Sequence, residues 1–399
     1  MNSDIDNIIN SNRDWTEGLE SFLNTYQLLY GLPRLENSEQ ISEAFYNYCL
    51  KGRYFIVIAL YNSSREFFIQ RDFIRSGHQT WELVGGWVQK GEGFDQALDR
   101  IVSKETGNTL VEAYPISLVR NTYLTAGRRP INHLGLAYMG RLLQDSNSFQ
   151  DGAFSHDIEI NLNNKDLRIL KLGKKILSGK IIEPPVEEVE HHADLGLANK
   201  FNRFVIKPIS YHFSSKVLQN VILEKVLQLK PSKSLTVLDI ACGDDRLVLK
   251  LADKVKLVVA NDIARSSMQL LIKGSTDKGI VFTNHNLLEL KFKIRFDVVI
   301  CKNVMHHMRN ADEMEIMINT LKRLGKRIII MDIENPKLTL LANAWNYYYV
   351  NFLKDHGGLF LSFHQFKSIM EIGFKNTKKI QVSKIKTVKG YYMMAVIDQ

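Results

Sequence analysis

Cysteine is scarce in this chain. Three residues in 399, Cys49, Cys242 and Cys301, are too few and too scattered for a disulfide framework or a zinc site. Long apolar runs are missing as well: the longest is about FIVIAL, Phe55 to Leu60, against the roughly 20 residues that a membrane span needs. The first ten residues, MNSDIDNIIN, hold neither a basic region nor an apolar stretch, so no secretory signal is read there. A reducing cytoplasm is the expected compartment, with no membrane partner. Also absent are internal repeats, low-complexity tracts and any basic run interleaved with aromatics, the pattern of a single-strand nucleic-acid platform.

Charge of one sign is short in each half. Residues 1–200 carry 21 Lys and Arg against 26 Asp and Glu, a balance of −5; residues 201–399 carry 31 against 17, a balance of +14. The basic half favours an acidic ligand, either a phosphorylated metabolite or nucleic acid. A chain of this length exceeds what one core usually supports, so two domains are expected.

Residues 1–44 read as a helical extension, with Trp15, Leu19, Phe22 and Leu23 at helical spacing. Residues 45–182 begin with a hairpin, YFIVIAL and EFFIQ around Asn62-Ser63-Ser64. A helix is predicted from Phe94 to Glu105, burying Ala97, Leu98, Ile101 and Val102. ISLVRNTYL and LGLAYMGRLL read as further strands, and a helix near Leu167 to Leu177 closes the unit. Residues 183–204, acidic and proline-bearing, read as a linker. In residues 205–399, LTVLDIA, KLVVAND, FDVVICK and KRIIIMDI are continuous apolar runs separated by helix-length segments. That pattern predicts a doubly wound, Rossmann-like parallel α/β sheet.

In such a sheet, ligands lie beyond the carboxyl ends of the strands. Those ends carry Asp239, Ala241 and Gly243 after the first strand, Asp262 and Ile263 after the second, Asn286 and Leu287 after the third, and Lys302 with His306 and His307 after the fourth. The series resembles the class I S-adenosylmethionine-dependent methyltransferases. The resemblance implies S-adenosylmethionine as cofactor, with Gly243 at its amino-acid portion and Asp239 orienting the loop or reaching its ammonium. It places Asp262 on the ribose hydroxyls and Asn286 and Leu287 at the adenine; Ile263 and Lys302 complete the cofactor set. His306 and His307 stand where a general base is expected, with Asp332 and Glu334 after the fifth strand as alternatives. Where the family has two further glycines, this chain has Ala241 and Asp245, and Asp245 is expected to tolerate a positive φ. Asn343 to Tyr349 and Asp355-His356 are expected to form a lid.

The stretch GGWVQKGEGFDQALDRIVSKETG, Gly85 to Gly107, resembles the Nudix hydrolase signature: Gly86, Glu92, Arg100, Val102, Glu105 and Gly107 match. The likeness implies an α/β/α mixed-sheet domain with Glu92 paired to Arg100. Ile101 and Lys104 replace two catalytic glutamates, and Asn108 replaces the final aliphatic residue. The GDP-mannose mannosyl hydrolases are similar in lacking the same two acids. By that likeness Glu105 and a backbone carbonyl near Gly85–Gly86 would hold one Mg²⁺, with a nucleoside diphosphate near Arg71, Arg128 or Arg129.

The reading favoured is a methyltransferase of a small, acidic or phosphate-bearing metabolite, with a mostly non-catalytic Nudix-like domain. The alternatives are a bifunctional methyltransferase and nucleotide-sugar hydrolase, an RNA or cap-type methyltransferase, and a non-enzymatic metabolite-binding regulator. The sequence carries no signal for an oligomeric state.

Overall fold

The computed structural model describes residues 23, 25–50, 52, 54–72, 80–143, 152–155, 162–178, 214–275, 279–290, 292–335, 343, 344, 347 and 359–399. The linker expected at 183–204, most of the expected lid, and Trp15, Leu19 and Phe22 lie outside them. The chain divides into two units. One comprises Met1–Glu183 with Ile272–Asp277 and Lys291–Lys293, the other Pro184–Leu271, Lys278–Leu290 and Ile294–Gln399.

In the first unit the apolar run at Phe55 becomes β2 (Tyr54–Tyr61), buried at all eight positions. Burial on both faces needs a central place in a covered sheet. Phe55, Val57, Ala59 and Tyr61 pack with Ile169, Leu170 and Leu177 of a helix, Asn164–Ser178. A second helix, Phe94–Thr106, lies against β2 and β5 (Val84–Trp87). It buries Ala97, Leu98, Ile101 and Val102 as its periodicity predicts, and Gly107 ends it in the left-handed region at φ 64°. The remaining strands are β1 (Arg34–Gln40), β3 (Phe67–Asp72), β4 (Thr80–Glu82), β6 (Leu110–Leu124), β7 (Ile131–Leu142) and β8 (Gly152–Ser155). The sheet order is β1-β6-β7-β2-β3-β4, with β5 on β2 and β8 on β3. Pairing is mixed, parallel for β1–β6 and β2–β7 and antiparallel elsewhere.

β1 is a departure, since residues 34–40 were expected within a helical extension. Helix covers residues 25–30; Gly31 at φ 61° and Pro33 then stop it. RLENSEQ alternates exposed and half-buried positions along β6, a period of two that the helical reading of the extension overlooked.

The second unit is built on the four apolar runs, which form β9 (Thr236–Ile240), β10 (Leu257–Asn261), β12 (Phe296–Lys302) and β13 (Gly325–Ile333). With β11 (Ile280–Thr283), β14 (Lys379–Thr387) and β15 (Gly390–Asp398) the order is β11-β10-β9-β12-β13-β15-β14. The first five are parallel, as expected. β15 runs antiparallel between β13 and β14, a hairpin the apolar-run reading did not include. The helix Ala311–Leu324 shows the local logic. Asn310 caps it by accepting from Glu313 N, acids fill its first turn and Lys322 and Arg323 its last, and Met314, Met317, Ile318, Leu321 and Leu324 are buried. Chain order reverses between β9 and β12, which opens a crevice at the carboxyl ends of these strands. Among the described residues, no helix is long and apolar enough to cross a membrane.

Candidate functional site

The loop leaving β9 starts at Asp239, which is 2 % exposed. Burial pushes its carboxyl up to about 7, with Asp262 adding to the rise and Lys302 opposing it. Ala241 and Gly243 take left-handed backbone, at φ 54° and 55°. An added Cβ at Gly243 would meet nothing within 4 Å, so the backbone conformation, not crowding, calls for glycine there. Asp245 corrects the expectation placed on it: the positive φ falls on Ala241 instead. Asp245 is extended toward other partners. Its carboxylate accepts from Leu247 N at 3.0 Å and from Gln219 Nε2, and pairs with the Lys302 ammonium.

Asp262 holds two segments together. One oxygen accepts from Gly243 N at 2.8 Å and the other from Ala264 N at 2.9 Å. Asn284, buried, donates through Nδ2 to the carbonyls of Asp262 and Ile263. Asn261 donates to His285 O and accepts from His285 N and the Thr283 hydroxyl. These amides were not singled out in the sequence; the available signal was asparagine at successive strand ends. Asn286 caps a one-turn 3₁₀ helix, Leu287–Glu289, accepting from Leu288 N at 3.0 Å. Its amide oxygen has a second lone pair and its nitrogen two donors.

Beyond β12, Asn303 turns the chain at φ 56°, and Met305–His307 form another 3₁₀ turn. The two histidines diverge in environment. His306 is buried and its Nδ1 lies 2.7 Å from Asp332 Oδ1, at the end of the neighbouring strand β13. The same carboxylate accepts from the backbone N–H groups of His306 and Ile333. The Phe360 ring stacks on His306 at 5.4 Å and 11°. His307 is exposed, its ring 4.2 Å from that of His306. Glu334, the other alternative base, instead accepts from Phe363 N and pairs with Lys384.

In the first unit Arg100 grips Glu92 with two donors, at 2.7 and 2.8 Å, and reaches Trp87 O at 2.8 Å. Glu92 also accepts from Gln89 N, so the pair fastens the loop to the helix as expected. Ile101 is 3 % exposed, and its side chain fills the space over Gly86. Lys104 Nζ sits 2.9 Å from Glu105 Oε1. Among the described residues no group of three or more His, Cys, Asp and Glu could hold a metal ion. A carboxylate already paired to lysine, beside an apolar Ile101, does not fit Mg²⁺. Of the arginines expected near a diphosphate, Arg128 pairs with Glu43 and is half exposed, and Arg129 accepts at its carbonyl from Tyr46 Oη.

A family described as methyltransferase domain matches residues 237–344, and one described as NUDIX domain matches residues 50–152. The chain thus carries a methyltransferase domain and a NUDIX domain. It is 26% identical over 227 residues to the ubiquinone/menaquinone biosynthesis C-methyltransferase UbiE of Geotalea uraniireducens, covering 51% of this chain and 88% of that one. It is 28% identical over 135 residues to the ubiquinone biosynthesis O-methyltransferase of Rickettsia bellii, covering 33% and 55%. A solved structure of magnesium protoporphyrin IX methyltransferase (ChlM) from Synechocystis PCC 6803 superposes with a TM-score of 0.38 at 18% identity, covering 46% of this chain and 84% of that one.

The residues at these strand ends resemble a set that holds S-adenosylmethionine. The crevice suits such a molecule, because its sulfonium and ammonium are cations and the mouth is acidic. Asp239, Asp244 and Asp245 gather around Lys302, and Asp262 stands within electrostatic reach of Asp239. The open space over Gly243 leaves room for a close approach to the backbone.

Proposed function

We propose that the methyltransferase domain methylates a small acidic or phosphate-bearing molecule, after His306 removes a proton from the accepting group. The observation that carries this reading is the buried His306–Asp332 pair at the carboxyl ends of β12 and β13. Asp332 is a carboxylate acceptor, so the proton of His306 belongs on Nδ1 and the lone pair on Nε2. That arrangement fixes both the tautomer and the ring direction, as a general base requires. When bound, the cofactor supplies a methyl group on a cationic sulfur that must be approached in line. His306 makes the acceptor anionic, and Asp332 stabilises the imidazolium that results. An ionised hydroxyl reacts at oxygen or, when conjugated with a ring, at the adjacent carbon. A base here therefore suits relatives named for both O- and C-methylation.

The basic balance of residues 201–399 supports an acidic acceptor. Asp239, Ala241, Gly243, Asp262, Ile263, Asn286, Leu287 and Lys302 make up the cofactor-binding set in this reading, with His307 as the second candidate base beside His306. The NUDIX domain acts without hydrolysing a diphosphate, since Ile101, Lys104 and Glu105 offer no metal site. The test is incubation with labelled S-adenosylmethionine and fractionated metabolite extracts, followed by His306→Ala on the acceptor found. The variant is expected to bind cofactor normally and to lose about 10²–10⁴-fold in rate. Equal and small losses in His306→Ala and His307→Ala would remove His306 from the chemistry. An acceptor of neutral character would remove the proposed substrate class.

A further inference from the structure

An acidic acceptor meets a difficulty at this crevice. Its cofactor end carries Asp239, Asp244, Asp245 and Asp262, which repel an anion. The acceptor's acid therefore needs a cation on its own side, and the sheet supplies one. Asp332 of β13 stands opposite Met393 of β15, and Met393 opposite Lys384 of β14. Directly opposed residues share a face, so Lys384 lies on the face that carries the His306–Asp332 pair. Glu334, two residues after Asp332, continues that face, and its N–H donates to Tyr391 O at 2.9 Å.

Lys384 pairs with Glu334, and the two ends of the pair differ in exposure. The Glu334 side chain is 5 % exposed and that of Lys384 36 %. Glu334 also accepts from Phe363 N, at 3.2 Å. The Lys384 ammonium lies 4.4 Å from the centre of the Tyr391 ring and 5.8 Å from that of Phe363. The carboxylate is thus buried behind and the ammonium presented in front, held by two aromatic rings. An ammonium has three donors, and the pair with Glu334 uses one. We propose that Lys384 determines acceptor specificity, binding the acceptor's carboxylate or phosphate while His306 takes the proton from the accepting group. Alternate residues on one strand face are about 7 Å apart, which selects a compact acceptor with its acid about that far from the methylated atom. The inference rests on the acidic acceptor and the His306 base proposed above.

Inorganic phosphate is the binding probe, titrated calorimetrically into the full chain saturated with S-adenosylhomocysteine. Lys384→Met is expected to weaken phosphate about tenfold, the scale of one charge-assisted hydrogen bond. Glu334→Gln removes the opposing charge, keeps an acceptor for Phe363 N and should bind phosphate more tightly than the parent. A lysine that serves only to neutralise Glu334 would give no such gain. Turnover is read with labelled S-adenosylmethionine and a metabolite extract split by anion exchange. The parent should label the retained fraction. Lys384→Met should raise the half-saturating concentration of that fraction about tenfold, with the loss on KM and not on kcat, and Lys384→Arg should restore most of it. Lys384→Met combined with Glu334→Gln leaves no buried charge unpaired, and it should show the same loss if the single variant does not fold. Unchanged half-saturation in both variants, or equal phosphate affinity in the parent, Lys384→Met and Glu334→Gln, would overturn this proposal alone. Label confined to the unretained fraction would instead refute the acidic acceptor, and this inference with it.

Discussion

At the scale of single residues, Asp239 and Asp262 divide two kinds of cost. Asp239 is a buried carboxyl with its pKa pushed up to about 7, against 3.8 ordinarily. The folded chain thus holds this proton more tightly than the unfolded one. The associated stability is fully present below about pH 4 and is lost as pH rises through about 7. Asp239→Asn is expected to melt higher than the parent at pH 8 and to show less loss between pH 5 and 8. Thermal melts across that range check it, and a variant that melts lower at pH 8 would contradict it. Cofactor affinity should move the other way. A cationic ligand favours the ionised carboxyl, so affinity of the parent should rise through pH 7 and Asp239→Asn should flatten that rise. Asp262 carries a structural duty besides any ligand contact, because Gly243 N and Ala264 N both end on it. Asp262→Ala should therefore weaken S-adenosylmethionine by about 1.5–3 kcal/mol and also lower the melting temperature. Cofactor titration and a melt on the same sample separate the two effects. Cofactor affinity equal to the parent's would take Asp262 out of the site.

At the scale of elements, the helix Phe94–Thr106 carries buried Ile101 and exposed Lys104 at positions where the Nudix-like pattern has glutamates. Ile101 is buried beneath Gly86, so Ile101→Glu does not restore a ligand cheaply. It places a carboxylate in an apolar slot and is expected to destabilise the first unit by a few kcal/mol. Glu105→Gln, in contrast, removes one half of a surface pair with Lys104 and should change stability by less than about 1 kcal/mol. Neither variant should alter hydrolysis of nucleotide sugars with Mg²⁺ or Mn²⁺, which is expected to be absent in the parent. Turnover that vanishes in Glu105→Gln would reverse that expectation.

The same elements show what the sequence made legible. β9, β10, β12 and β13 were readable because strands buried on both faces must be apolar throughout. Glu92 and Arg100 were readable because the resemblance fixes their spacing. β1 was not, since alternation of half-buried and exposed polar residues carries little hydrophobic signal. In the antiparallel β14–β15 hairpin, KIQVSKIKT has a polar outward face and little hydrophobic signal, whereas GYYMMAVID is apolar and buried and was legible as a strand. His306 and Asp332 were both candidates, but as competing bases. Only the parallel pairing of β12 and β13 joins residues 26 apart in the chain into one hydrogen-bonded pair. Asp245 read as a weakened glycine loop because its partner, Lys302, lies far along the sequence.

At the scale of the molecule, the two units are built on separate sheets. The crevice belongs to the second unit, and the set Asp239, Gly243, Asp262, Asn286 and Lys302 lies wholly within it. A chain shortened to residues 205–399 is expected to bind S-adenosylmethionine with the parent's affinity, measured by calorimetry. Loss of binding from a folded fragment would show that the first unit is required.

Among the described residues, the open border of the seven-stranded sheet is β14, which has β15 on one side and no strand on the other. Unpaired peptide groups along such a border invite another chain to add itself as the next strand. Lys379 and Lys386 are exposed along it, interspersed with half-buried Ile380, Val382 and Ile385, while Lys384 is paired with Glu334. A second copy laid alongside would bring like charges together every few residues, so repulsion guards the border. Lysine at this border thus acts against association of one copy with another. Neutralising Lys379 and Lys386 should leave the fold intact and make solubility fall with concentration.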